Sequence, residues 1–165
     1  MNAQEIVVPE IILSLKDLTR ILRELEELDA GYLEASARAK IGAKVDYVPM
    51  LSVALEEFLA ANPIDMSELS QRSLLIDSVR QLKQQAPLTH LTFAVAPDME
   101  SLIKISRWLR ENVHPQMLIR VGLQPDLVGG VYVRTTNRAL DLSLRAQLEN
   151  HRHVIAQELE ALCGR

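Results

Sequence analysis

Residues 87–96 read PLTHLTFAVA, and at this stretch the hydrophobic period of the chain changes. Before it, apolar side chains recur at the spacing of helices that bury one stripe. From Leu88 onward they alternate, in a run rich in Thr, Phe and Val, as a strand with one buried face requires. A proline here also disfavours helix in the residue before it. The sequence therefore divides at Pro87 into a helical part, 1–86, and a part with strands, 87–165. The predicted class is α+β.

Working back from Pro87, residues 5–13 are apolar and β-branched, are interrupted by Pro9, and read as an extended arm. Ser14 and Asp17 have the spacing of a capping box, with Asp in place of Glu. Leu18, Ile21, Leu22, Leu25 and Leu28 then make one apolar stripe, and Arg20, Glu24, Glu26 and Glu27 mark the wet side. Gly31 is expected to weaken or bend this helix before it resumes over 32–38. Residues 41–49, with Gly42 and Pro49, read as a loop. A second helix over 51–61 places Leu51, Ala54, Leu55, Phe58 and Leu59 inward and stops at Asn62-Pro63. A third follows a cap at Asp65 or Ser67, with Leu69, Leu75, Ile76, Val79 and Leu82 inward. The first part is thus a small unit of about three helices.

Working forward, Asp98 caps a helix to about residue 113 with Leu102, Ile105 and Leu109 on its inner face. Ile103 and Trp108 lie off that stripe, which makes them candidate contact residues. Residues 116–123 (QMLIRVGL) read as a strand, Gln124-Pro125-Asp126 as a turn, and 128–135 (VGGVYVRT) as a further strand. A short fourth strand is admissible near Leu140. The last helix is expected from Asp141 or Ser143 to 162, with Leu144, Leu148, Ile155, Leu159 and Leu162 as its stripe. The order is β-α-β-β-α around a small mixed sheet.

Composition narrows the function. Of the 165 residues, 48% are hydrophobic and only 4% aromatic, which suits a mostly helical core of Leu, Ile, Val and Ala. Residues 1–86 carry 9 basic and 14 acidic side chains, a net of −5, and residues 87–165 carry 9 and 8, a net of +1. Neither part has the concentrated positive field of a nucleic-acid binder. The single cysteine, Cys163, cannot form an internal disulfide, which points to a reducing compartment. No apolar run is long enough to span a bilayer, and the first residues do not read as a signal peptide. The expectation is a cytoplasmic protein that reaches a membrane only through a partner.

The side chains of reactive type have plainer roles. His151 and His153 are two apart and point different ways on a helix, and His90 and His114 have no nearby Cys or paired carboxylates. Asp126 and Asp141 sit where Asp serves as turn residue or cap. Ser143 lies at a helix start, so no nucleophile-base arrangement forms around it. Gly129-Gly130 fits neither phosphate-loop pattern and reads as a bulge or close backbone approach. No catalytic residue, metal ligand or cofactor is expected.

Two segments taken together are specific. Pro125-Asp126-Leu127-Val128-Gly129-Gly130-Val131-Tyr132-Val133-Arg134, followed by Asp141-Leu142-Ser143-Leu144-Arg145-Ala146-Gln147-Leu148, resembles the C-terminal signature of the F-type ATP synthase delta subunit family, which includes the mitochondrial oligomycin-sensitivity-conferral protein. The signature positions are Pro125, Leu127, Gly129, Gly130, Val133, Arg134, Asp141, Ser143, Arg145 and Leu148, and the likeness covers about 88–153. The chain departs from the pattern in its turn, Thr135-Thr136-Asn137-Arg138, where the family has Gly. It also departs in having about three helices where the family has a bundle of about six, so it resembles a short, divergent member.

The resemblance implies a non-catalytic peripheral-stalk connector at the cytoplasmic face of the cell membrane. In that role the first domain meets N-terminal segments of the alpha subunits and the second meets the C-terminal helices of the b subunits. The runner-up from a different class is a small nucleic-acid-binding or adaptor module using Arg134 and Arg138. Only Phe93 and Tyr132 would offer stacking on its strands, and the net charge of +1 speaks against it.

Overall fold

A computed structural model describes residues 6–42, 47–135 and 137–163. Its elements are α1 (Leu15–Lys40), α2 (Val53–Ala61), α3 (Leu69–Gln85), β1 (Leu88–Phe93), α4 (Met99–Asn112), β2 (Leu118–Leu123), β3 (Gly130–Arg134), β4 (Ala139–Ser143), α5 (Leu144–Asn150) and α6 (Arg152–Cys163). Helices followed by a four-stranded mixed sheet confirm the α+β class. The described residues form two units. One combines the chain up to Pro87 with Ile103–Leu118, and the other combines Leu88–Leu102 with the chain from Ile119. Most of α4 therefore lies in the first unit, although it follows Pro87 in sequence.

In the first unit, α1 starts where the sequence placed it. The Ser14 hydroxyl accepts from Asp17 N at 3.3 Å, and the Asp17 carboxylate accepts from Ser14 N at 2.9 Å, which closes the capping box. All five stripe residues, Leu18, Ile21, Leu22, Leu25 and Leu28, are buried. Each such side chain contributes about 1.5–3 kcal/mol before entropy is set against it. Truncating the fully enclosed Leu18 to Ala should cost about 2–5 kcal/mol. α1 runs unbroken through Gly31, where a Cβ would stand 2.2 Å from the Tyr47 hydroxyl. The glycine makes room for a ring.

Ser52 caps α2 by accepting from Leu55 N at 3.2 Å, and Asn62 ends it. The predicted cap of α3 is corrected. The exposed Asp65 carboxylate accepts from Ser67 N and Oγ, at 2.9 and 2.6 Å, and α3 begins at Leu69 with no side-chain cap. Leu69 is exposed, and Arg72 takes a buried place on the α3 stripe. The arm 6–13 is irregular, with Ile6, Val8, Ile12 and Leu13 buried.

In the second unit the strand order is β2-β1-β3-β4. β1 pairs antiparallel with β3 (Leu91↔Val133), and β3 with β4 (Val133↔Leu140, Val131↔Leu142). The register brings Leu91, Val133 and Leu140 across one face of the sheet, since neighbours in register share a face. Burial falls along that row, from Leu91 at 1% exposed to Leu140 at 55%. The single last helix expected from the sequence is two helices, broken at His151, whose ring meets the Gln147 carbonyl at 2.9 Å. The side chains of Ile155, Leu159, Leu162 and Cys163 lie outside the described residues.

Candidate interaction surface

The two signature segments meet in space. Pro125–Leu127 forms one 3-10 turn, after which Val128 adopts a left-handed backbone (φ 62°). A β-branched residue is strained there. Gly130 follows with φ 84°, and a Cβ on it would lie 2.4 Å from the Leu142 carbonyl oxygen and 2.8 Å from Ser143 Cα. Gly130 is thus the point where β3 slides against the β4–α5 corner. Gly129 completes the seam, because its carbonyl accepts from Leu144 N at 3.0 Å. Gly130 is the glycine that this close approach requires, whereas a Cβ on Gly129 would meet only the Leu144 side chain, at 2.7 Å.

The other half of the seam is polar. Ser143, buried and opposite Gly130, caps α5 by accepting from Ala146 N at 3.2 Å. Asp141 was expected to start or cap the last helix. Instead it lies within β4, paired with Tyr132, and its Oδ1 accepts from Ser143 N at 2.9 Å. Hydrogen bonding from Ser143 is the largest cause holding the Asp141 carboxyl below its ordinary value, with the Arg145 charge adding to it. Arg145 pairs with Glu149 at 3.1 Å on the open surface, where such pairs contribute little. Leu127 and Val133 are half-buried, while Pro125, Arg134, Arg145 and Leu148 are exposed. These positions build one corner of the fold and hold no reactive group in place.

What the corner presents outward is apolar. Leu140, Leu142, Leu144 and Leu148 are 55%, 43%, 49% and 55% exposed, on an edge strand and the helix it feeds. An apolar edge of this kind marks an interaction surface. On α4, Trp108 is 58% exposed and Ile103 half-buried, and both fall in the part of α4 that belongs to the first unit. In that same unit, a cleft of about 540 Å³ runs between α1 and α3. Leu33 and Ile76 line it together with Glu26, Asp29, Asp77 and Arg80, and its acids are paired: Arg80 meets Glu26 at 2.6 Å and Asp77 at 3.1 Å, and Arg72 meets Asp29 at 2.6 Å.

Two arginines escaped sequence reading. Arg72 is 5% exposed, bonds Asp29 at 2.6 Å and the Met66 carbonyl at 2.7 Å, and lies 4.8 Å from the centre of the Tyr32 ring. Its spacing to Leu75, Ile76 and Val79 puts it on the α3 stripe, a signal that was available. Arg110 donates to backbone carbonyls of the arm, and burial pushes its pKa down. Among the described residues, no group of three His, Cys, Asp or Glu side chains converges on one point.

Residues 66–155 match the family described as ATP synthase delta (OSCP) subunit. That stretch contains the whole β3–β4–α5 corner, while α1 and α2 lie outside it. ATP synthase subunit delta of Solidesulfovibrio magneticus is 28% identical over 110 residues, covering 67% of this chain and 57% of that protein. The chain therefore spans less than two thirds of that relative's length.

Proposed function

The chain belongs to the ATP synthase delta (OSCP) subunit family, and from that premise we propose that it is a non-catalytic connector in the peripheral stalk of an F-type ATP synthase. It links the alpha subunits of the catalytic head to the b subunits. It keeps the head from turning with the rotor while ion flow drives ATP synthesis. The division of labour follows the sequence: 1–86 for the head and 87–165 for the stalk. The observation that carries this reading is the fold of the signature itself. The Gly129-Gly130 seam fixes a corner whose outer side is Leu140, Leu142, Leu144 and Leu148, a surface suited to an apolar helix face.

The C-terminal helices of b are assigned to that strip, and Trp108 and Ile103, on the part of α4 that belongs to the other unit, are proposed as a separate contact. Exposed Trp is enriched among residues that anchor interfaces. The N-terminal segments of alpha are assigned to the cleft between α1 and α3, where Leu33 and Ile76 offer apolar contact to an amphipathic helix. Among the described residues no helix is long and apolar enough to cross a membrane. Attachment at the cytoplasmic face through the complex is consistent with that.

Titrating isotopically labelled full chain with a b C-terminal helix peptide, and separately with an alpha N-terminal peptide, tests both assignments. The first is expected to shift amides of β4 and α5, and the second those of α1 and α3. Unchanged amide spectra at saturating peptide would sink the corresponding assignment.

A further inference from the structure

The arm 6–13 is irregular backbone with a turn closed by Ile12 N on the Pro9 carbonyl at 3.1 Å, and side chains from elsewhere bind several of its polar groups. Asn62, at the end of α2, accepts from Val7 N at 2.9 Å and donates to the Val7 carbonyl at 2.8 Å. Further bonds to the arm come from α4 and the turn after it. Arg110 donates from Nη1 to the carbonyls of Val8 (3.1 Å) and Pro9 (2.9 Å), and from Nη2 to that of Ile12. Its Nε reaches the Met117 carbonyl at 3.2 Å. Arg107 grips Glu10 with two bonds of 2.7 Å, and Gln116 donates to the Ile6 carbonyl at 3.1 Å. Irregular backbone needs such partners, because buried carbonyls without them are costly.

The arm thus touches α2 on one side and α4 on the other. The densest helix packing of the first unit is α1 on α3. Between the arm and α4 there remains a cleft of about 370 Å³, lined in part by Arg107 and Arg110, the side chains that make these bonds. We infer that the arm 6–13 is a latch: together with the bond of 3.0 Å from Leu118 N to the Pro87 carbonyl, it holds the Ile103–Leu118 part of α4 and its following turn to the three-helix unit. A force or partner that lifts the arm then loosens α4 without melting α1 to α3. This rests on the contacts within the unit and is independent of the stalk assignment.

Hydrogen–deuterium exchange on the full chain tests it with Arg110→Met, which keeps the stem and removes the donors. Exchange is expected to rise together in 6–13 and 103–117, by about tenfold or more given several charge-assisted bonds lost, while amides of Leu15–Lys40 and Leu69–Gln85 stay as protected as before. If Arg110→Met does not fold, Arg107→Gln, which removes only the exposed pair with Glu10, should give the same paired pattern at smaller size. A rise confined to 6–13, or one spread evenly over α1 to α4, overturns the latch.

Discussion

At the scale of single residues, the two glycines of the seam are not equivalent. A methyl on Gly130 meets backbone at 2.4 and 2.8 Å in a conformation that L side chains rarely adopt, whereas one on Gly129 meets the tip of the exposed Leu144 side chain at 2.7 Å. Gly130→Ala is therefore expected to destabilise by about 2 kcal/mol or more, and Gly129→Ala by less than about 1 kcal/mol because Leu144 can rotate away. Urea melts of the two variants check the order, and equal losses would refute it. Asp141 gives a pH signature. Its folded pKa is lowered from 3.8, so the stability it adds is complete above that value and fades as pH falls through the lower folded one. Asp141→Asn should flatten the acid limb of the stability curve relative to wild type, and identical limbs would contradict the Ser143 bond. The glycine pair was legible because no common motif explained it. Asp141 was misread because an Asp ahead of a helical stripe is ordinarily its cap, and only pairing with Tyr132 reveals a strand. Nothing near Gly31 in sequence announces Tyr47, so its role stayed hidden.

At the scale of elements, local signals carried α1, α2 and the strands well, because stripes, alternation and caps all act within a few residues. The allegiance of α4 was not local. Sequence periodicity drew the boundary at Pro87, and the division there led to the expectation that 87–165 would fold by itself. Arg107 and Arg110 instead bind an arm that lies far ahead of them in the chain. A fragment 87–165 is accordingly expected to lose helix, so that the far-ultraviolet dichroism of fragments 1–86 and 87–165, measured apart, sums to less than that of the intact chain. A full sum would restore the boundary at Pro87. Trp108 supplies a second element-level prediction. With 58% of it exposed, Trp108→Ala should barely move the melting temperature, yet it should weaken binding to a b C-terminal helix by about 2 kcal/mol or more. A stable variant that binds b normally would remove Trp108 from the interface.

At the scale of the whole molecule, the chain has a family signature in its second part and a helical first part that begins outside the matched stretch. Its exposed apolar corner suits the proposed role of a protein that works through partners. A connector needs no reactive centre, but it needs surfaces that hold under load, and buried apolar anchors at the middle of an interface supply most of that strength. The nucleic-acid alternative would require a strong, salt-sensitive electrostatic footprint, and a net charge of +1 over 87–165 offers little of one. The measurement that bears most directly on the connector role is affinity purification of the tagged full chain from gently solubilised native membranes, with the retained proteins identified by mass spectrometry. The alpha, beta and b subunits of an F-type ATP synthase should be recovered together with the chain. Recovery of the chain without any of these subunits, from membranes in which the assembled synthase is present, would contradict the account.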